Sequence, residues 1–277
     1  MSSGSIAWID GRWGQPDQLG IALNDRGVLL ADGLFETVLI ERRRVQLLTA
    51  HLQRWQQGAR LLQMPAPPSA ERVEKLMMEA LQRSGLSDGA LRLNWSRGSS
   101  GRGIDLPSPG GTARFWLQLS PAQPTFSVIR AVVSPTEQRC ATSLLSRCKT
   151  FGYGSAIQAR AQARAAGADE ALLTSTAGGL CCGTTANLIL EVGQRWFTPP
   201  LSSGCLPGVM RQRALELGML AEADAPIGIE AVSTGRVSAA WLINSLSCRP
   251  LQSLNGHRLP RCDSAEAEHY WRRLLAP

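Results

Sequence analysis

The chain has 277 residues, 44% of them apolar and 18% charged, which is the composition of a globular protein and excludes a disordered one. At roughly 150 residues per domain, that length fits one large domain or two modest ones. The excess of 29 Lys+Arg over 22 Asp+Glu gives a formal charge of +7, but the cations are dispersed and only 15 residues are Phe, Trp or Tyr. Without a zinc-finger or RNP spacing, that balance argues against nucleic acid and leaves an anionic small molecule as the natural partner. No apolar run approaches the roughly 20 residues of a membrane helix. The opening MSSGSIAWIDGRWG has neither the basic nor the apolar region of a secretory leader, so a cytoplasmic protein with no membrane partner is expected. Seven cysteines, odd in number and without a CxxC pair, predict free thiols in a reducing compartment. Three histidines far apart in sequence predict no metal site.

In chain order, Ile6 and Trp8 with the Asp10-Gly11 turn predict a hairpin. Phe35–Ile40 reads as a strand, with Val45–Leu48 pairing to it across the basic turn. Thr49 is placed to cap a helix whose apolar face is Leu52, Trp55, Ala59 and Leu62, ended by Pro65, Pro67 and Pro68. Ser69 opens a second helix through Val73, Leu76, Ala80 and Leu81, stopped by Gly85. Leu91, Leu93 and Trp95 alternate with Arg92, Asn94 and Ser96 as a half-buried strand, and Thr112–Leu119 reads as another. Ser120–Thr125, with two prolines, predicts a linker between a small N-terminal α/β domain (1–119) and a larger C-terminal one (126–277).

Beyond it, Phe126–Val133 predicts a strand and Ser155–Ala166 an alanine-rich helix. Glu170–Thr174 and Thr185–Val192 read as strands around the Ala177-Gly178-Gly179 turn. Leu206-Pro207-Gly208 leads into a helix ending near Gly218, and Trp241–Asn244 reads as a buried strand. Asp263 and Glu266 form a capping box for a closing helix through Tyr270, Trp271 and Leu274. The fold class expected is α/β, in two α+β domains.

Chemistry-bearing residues are sparse. There are two lysines, so arginine supplies 27 of the 29 cations. Lys75, among Glu71, Glu74 and Glu79, reads as a solvated surface residue. Lys149, flanked by Cys148, Thr150, Phe151, Gly152 and Tyr153, reads either as a loop lysine or as an amine for Schiff-base or proton-transfer work. Arg97-Gly-Ser-Ser-Gly-Arg102-Gly follows a strand and is either a flexible hairpin or a cradle in which two guanidinium forks hold a carboxylate or phosphate. The helix start at Leu206-Pro-Gly-Val-Met-Arg211 suits a phosphate, although most helix starts bind nothing. Thr184 and Thr185 read equally as ordinary strand residues. On spacing alone His51 is a satisfied, partly buried histidine and Arg54 a residue of the solvated helix face.

Taken in order, Asp32-Gly-Leu-Phe-Glu-Thr37, His51-Leu-Gln-Arg54, Ser96-Arg97-Gly98, Lys149, Gly167-Ala-Asp-Glu170, Gly183-Thr-Thr-Ala-Asn187, Thr198-Pro199, Leu206–Arg211 and Asn244-Ser245 resemble the class IV, or fold-type IV, pyridoxal-phosphate aminotransferase family. The likeness spans nearly the whole chain. It implies a homodimer of two-domain subunits using pyridoxal 5'-phosphate, with Lys149 bound to the cofactor and shuttling protons. It further implies that Arg54, the backbone of Val209 and Met210, and Asn244-Ser245 hold the phosphate, and that Tyr153 bonds the ring hydroxyl. Within the family, Ser96–Gly103 is most similar to the aminodeoxychorismate lyases, which implies release of pyruvate from 4-amino-4-deoxychorismate in folate synthesis. Thr37, Arg97 and Arg102 would then face the substrate carboxylates.

One position departs from the pattern. Five residues before Asn187, where the family usually carries a glutamate against the pyridine nitrogen, this chain has Cys182. A thiol is a weak partner for that nitrogen. Transamination needs the deeper electron sink more than does an elimination that ends in an aromatic ring, so Cys182 points toward the lyase. The alternatives are an aminotransferase for branched-chain or D-amino acids and a family member of weak catalysis.

Overall fold

The computed structural model describes residues 4–100, 103–107 and 113–276, and the chain divides into two units. Unit 1 comprises residues up to Gln123 together with Cys148–Gly152, and unit 2 holds Pro124–Arg147 and Tyr153 onward. Lys149 thus belongs to unit 1, although sequence order groups it with residues 126–277.

Unit 1 is built on an antiparallel sheet. Its strands are β1 (Ile6–Ile9), β2 (Arg12–Gly14), β3 (Gly33–Glu41), β4 (Arg44–Val45), β5 (Gly89–Ser96) and β6 (Arg114–Ser120), in the order β2-β1-β6-β5-β3-β4. Asp10 and Gly11 both take positive φ, as the tight hairpin between β1 and β2 requires. One sheet face packs on α2 (Leu48–Leu61) and α3 (Ala70–Ser84), burying Leu34, Val38, Leu91, Leu93 and Leu117 against Leu52, Trp55, Val73 and Leu81. Each such leucine contributes about 1.5–3 kcal/mol by leaving water. A short helix, α1 (Arg26–Leu30), precedes β3 and is capped by Asp25, which accepts from Gly27 N–H at 2.8 Å.

The sequence-predicted ends shift where backbone conformation, and not periodicity, sets them. Val45–Leu48 is not a continuous strand: β4 stops at Val45, Leu47 turns the chain with φ 53°, and Leu48 starts α2. Thr49 therefore lies inside the helix and does not cap it. Ser69 does cap α3, accepting from Arg72 N–H at 3.3 Å, and Gly85 ends it at φ 69°.

Unit 2 contains β7 (Ile129–Arg139), α4 (Gly154–Ala165), β8 (Glu170–Ser175), β9 (Leu180–Gly183), β10 (Asn187–Val192), β11 (Arg195–Thr198), α5 (Val209–Glu216), β12 (Ala221–Glu222), α6 (Glu230–Ser233), β13 (Val237–Asn244), β14 (Ser247–Leu254), β15 (His257–Arg258) and α7 (Ser264–Leu275). The path β10-β13-β14-β7-β8-β9 returns to β10 through the Cys182–Asn187 pair, so these strands close a ring. Leu172, Leu188, Leu190, Leu242 and Leu251 form one core; Ala159, Ala163, Leu173, Cys181, Cys182 and Cys205 form another. The strand expected over 126–133 begins at Ile129 and runs on to Arg139, and the one expected from Thr185 begins at Asn187. Residues 184–186 are instead the turn out of β9. Both faces of β9 are buried, which leaves no alternation to read in Leu-Cys-Cys-Gly. Pro250 in β14 lies opposite Trp241, one position before pairing with β7 starts at Leu251, so its missing N–H interrupts no bond to that strand. Asp263 caps α7 as expected, but the Glu266 carboxylate pairs with Arg261, leaving the capping box half made.

Candidate active site

Lys149 is placed by a short antiparallel pairing beside β3. The Phe35 N–H donates to the Lys149 carbonyl at 2.9 Å, and the Phe151 N–H donates to the Gly33 carbonyl at 3.0 Å. Gly33 is required there, because a Cβ would lie 2.2 Å from the Phe151 ring. The lysine Nζ stands 4.4 Å from the Phe35 ring centroid, and the Arg92 guanidinium carbon 3.7 Å from the same centroid. Strand register puts Thr37 opposite Arg92 and Phe35 opposite Asn94. Phe35, Thr37, Arg92 and Asn94 therefore share the sheet face turned away from α2. Arg92 Nε donates to Asn94 Oδ1 at 2.8 Å, which steadies the guanidinium on that face. Trp116 and Phe151, 5.5 Å apart between centroids, complete an aromatic floor. Arg92 had no functional role in the sequence reading, because only the strand register sets it opposite Thr37.

On the other face of β3, Glu36 is fully buried and meets two residues one turn apart on α2. His51 Nδ1 lies 2.7 Å from Oε2, while Arg54 Nε and Nη2 donate to Oε1 and Oε2 at 2.8 and 2.5 Å. Burial acts to raise the Glu36 pKa, but the Arg54 charge and the bonds from His51 and Arg54 outweigh it and hold it at about 2. Burial pushes the His51 pKa down against the pull of Glu36, so the ring is neutral at pH 7 with its proton on Nδ1. Arg54 is thus a paired, mostly buried residue and not part of a solvated face.

Arg97, expected to face a substrate carboxylate, is held by three partners within unit 1. Its Nε bonds Asp32 at 2.8 Å, and its two Nη groups bond the carbonyls of Gln63 and Leu62 at 2.8 Å each. The guanidinium ties down the carbonyls of the two residues that follow α2, a structural task. Arg102 lies outside the described residues.

In unit 2, three segments are tied together by side chains. Asn187 Nδ2 donates to the Leu206 carbonyl at 2.8 Å, fixing the approach to α5, and Asn244 Nδ2 donates to the Thr185 carbonyl at 3.3 Å. Arg160 holds both Glu170 and the Thr184 hydroxyl, and Thr184 donates to Glu170 at 2.6 Å. Asn244 Oδ1 also accepts from Leu246 N–H at 2.8 Å, shaping the turn that carries Ser245. Gly208 is the N-cap of α5 and supplies no side-chain cap to Val209 and Met210; a Cβ on it would come within 1.9 Å of Asn187 Oδ1. Tyr153 is the N-cap residue of α4. Cys182 packs in the alanine- and thiol-lined core beside α4, where its bond with Cys181 and then burial push its pKa well up, so the thiol is neutral.

Residues 33–254 match the family described as amino-transferase class IV, and the chain belongs to that family. A bifunctional aminodeoxychorismate lyase / D-amino acid transaminase of Mycobacterium tuberculosis is 26% identical, over 94% of this chain and 95% of its own. Two solved structures share the fold. One is the branched-chain amino acid aminotransferase of Escherichia coli (TM-score 0.86, 19% identical, covering 98% of this chain and 94% of that one). The other is a pyridoxal-phosphate-bound hypothetical aminotransferase of M. tuberculosis (TM-score 0.82, 23% identical, covering 98% and 99%).

Membership makes the chain a pyridoxal 5'-phosphate enzyme, aminotransferase or lyase in kind. Each unit carries groups of the kind that cofactor needs: unit 1 a primary amine on a fixed backbone and an arginine fork held by a buried carboxylate, unit 2 a helix start of at least two turns with a glycine where a cap would stand.

Proposed function

We propose that this chain converts 4-amino-4-deoxychorismate into 4-aminobenzoate and pyruvate, a step of folate synthesis, in the cytoplasm and as a homodimer. The observation that carries the choice of elimination over transamination is Cys182: a buried, neutral thiol stands where the family pattern has an acid for the pyridine nitrogen. Support for an anionic substrate comes from Arg92 and Thr37, adjacent on one face with Lys149 over the same phenyl ring. An exposed apolar patch on α1 (Val28, Leu29, Leu30), with Leu23 and Ile104 beside it, supports a second copy of the chain as partner.

The residues we assign to the cofactor's phosphate are Arg54, Val209, Met210, Asn244 and Ser245, with Tyr153 for the ring hydroxyl and Cys182 for the ring nitrogen. When bound, pyridoxal phosphate draws electrons away from the substrate's amine-bearing carbon. Lys149, which anchors it, takes the proton from that carbon and later delivers one to the methylene of the departing enol-pyruvate. Arg92 and Thr37 orient the carboxylates so that the carbon–oxygen bond to be broken stays aligned with the Lys149 amine.

The test is to supply the cofactor-loaded protein with aminodeoxychorismate, generated in place from chorismate and glutamine by its synthase, and to follow 4-aminobenzoate by fluorescence. Product that disappears with Lys149→Ala supports the lyase. Absence of product, with amino-group transfer from a branched-chain or D-amino acid, would replace it by the aminotransferase reading, which the M. tuberculosis relative's double name keeps in view.

A further inference from the structure

The buried trio on the α2 side of β3 is more elaborate than holding a helix to a strand requires. Glu36 lies in the middle of β3 among Leu34, Val38 and Ile40, where an apolar side chain would join strand to helix at lower desolvation cost. Instead the carboxylate takes the side of Arg54 through both oxygens, at 2.8 and 2.5 Å, which fixes the guanidinium plane as well as its position. His51, one helical turn away, occupies the same Oε2 at 2.7 Å and stops the carboxylate from rotating. Burial is graded: the Glu36 and His51 side chains are each 1% exposed and that of Arg54 is 11%, so the arginine is the member that reaches outward.

From this geometry we propose that Glu36 and His51 are positioning residues that aim the Arg54 guanidinium and thereby set how tightly the enzyme grips the phosphate of its cofactor, taking no part in the chemistry. The inference rests on the assignment of Arg54 to the phosphate made above. Neither residue touches the reacting atoms. His51 bonds Glu36 and Glu36 bonds Arg54, so the effect expected of both reaches the phosphate through that fork.

That route gives the test. The full-length protein, freed of cofactor by dialysis, is titrated with pyridoxal 5'-phosphate and with pyridoxal, and the ratio of the two affinities is the readout. Arg54→Gln is expected to collapse the ratio. Glu36→Gln and His51→Leu are expected to lower it by roughly tenfold or more while leaving the affinity for pyridoxal unchanged, and to add nothing in the Arg54→Gln background. His51→Asn, which keeps a donor where Nδ1 stands, is expected to restore most of it. Should Arg54→Gln leave the ratio intact, the phosphate assignment itself is wrong and the proposal goes with it. A collapse with Arg54→Gln, but wild-type ratios in Glu36→Gln and His51→Leu, overturns the positioning role alone. Equal loss toward both ligands would mean a structural pair only. Thermal melting monitors folding; if Glu36→Gln does not fold, the contrast between His51→Leu and His51→Asn decides the matter.

Discussion

Lys149 and Phe35 are joined twice: the Phe35 N–H bonds the lysine carbonyl at 2.9 Å, and the lysine Nζ lies 4.4 Å from the centre of the phenyl ring. The first contact sets where the amine starts from and the second sets where it points. With Arg92 at 3.7 Å from the same ring, one phenyl group organises two cations on a single sheet face.

Arg92→Gln should therefore weaken substrate binding more than it slows turnover. Loss of a charge-assisted bond to a carboxylate amounts to about 1.5–3 kcal/mol, which is a rise in KM of roughly tenfold to a hundredfold. Steady-state kinetics at saturating cofactor would check it. A fall in kcat with KM unchanged would place Arg92 in the chemical step and not in carboxylate recognition.

Arg97→Ala should behave in the opposite way. Its guanidinium is shared among Asp32, Leu62 and Gln63, so removal takes a bond from each of two carbonyls just past α2 and leaves a carboxylate with one partner fewer. A stability loss of about 2–4 kcal/mol in urea unfolding is expected, with KM little changed in the protein that remains folded. A raised KM at full stability would return Arg97 to the substrate.

The two arginines also mark what a sequence can disclose. Helices α3 and α7 were legible because their caps and apolar spacing are local, and Lys149 because it is one of two lysines in the chain. The split of work between Arg92 and Arg97 was not legible. Arg97 follows a strand in a glycine-rich stretch and looks like an anion ligand, yet its bonds run to Leu62 and Gln63, some 35 residues away. Arg92 looked like the polar half of an alternating strand until register set it across from Thr37. The closed strand ring of unit 2 was hidden for a related reason: β9 is buried on both faces and β14 contains a proline, which removes the periodic signal from both.

Acid should unfold the protein in two overlapping steps of the same sign. Glu36 titrates at about 2 in the fold against 4.5 ordinarily, so its stabilising contribution is complete above pH 4.5 and is lost as pH falls toward 2. His51 is held neutral below its ordinary 6.5, so protons bind the unfolded chain first and stability already declines below that pH. Together they are expected to remove a few kcal/mol between pH 7 and pH 3, read as a falling urea midpoint. Glu36→Gln should be less stable at pH 7 and show a flatter slope below pH 4.5. A parallel slope would mean that other carboxylates set the acid limb.

Gly208→Ala tests the start of α5. The new methyl group would meet Asn187 Oδ1 at 1.9 Å, and Asn187 cannot retreat without releasing the Leu206 carbonyl that it holds at 2.8 Å. A loss of about 1–3 kcal/mol in stability is expected, with cofactor content falling further than stability alone explains. Bound cofactor can be counted by absorbance after alkaline release. Full cofactor content in a destabilised variant would separate the α5 start from phosphate binding.

Cys182→Glu bears most directly on the choice between elimination and transamination. The thiol sits among Ala159, Ala163 and Leu173, with the Arg139 charge acting on it from outside that apolar cluster. A carboxylate put there is overpacked and desolvated, so the cofactor-free variant should lose about 1–3 kcal/mol of stability. If the ring nitrogen of the cofactor is its neighbour, binding supplies a proton donor, and the variant should gain more in Tm from pyridoxal phosphate than the wild type does. The same pairing deepens the electron sink, so amino-group transfer should rise relative to 4-aminobenzoate release, by about tenfold for each 1.4 kcal/mol of differential stabilisation. A variant with the wild-type product ratio and no extra gain in Tm would show that position 182 does not face the ring, and the choice of elimination over transamination would lose the observation that carries it.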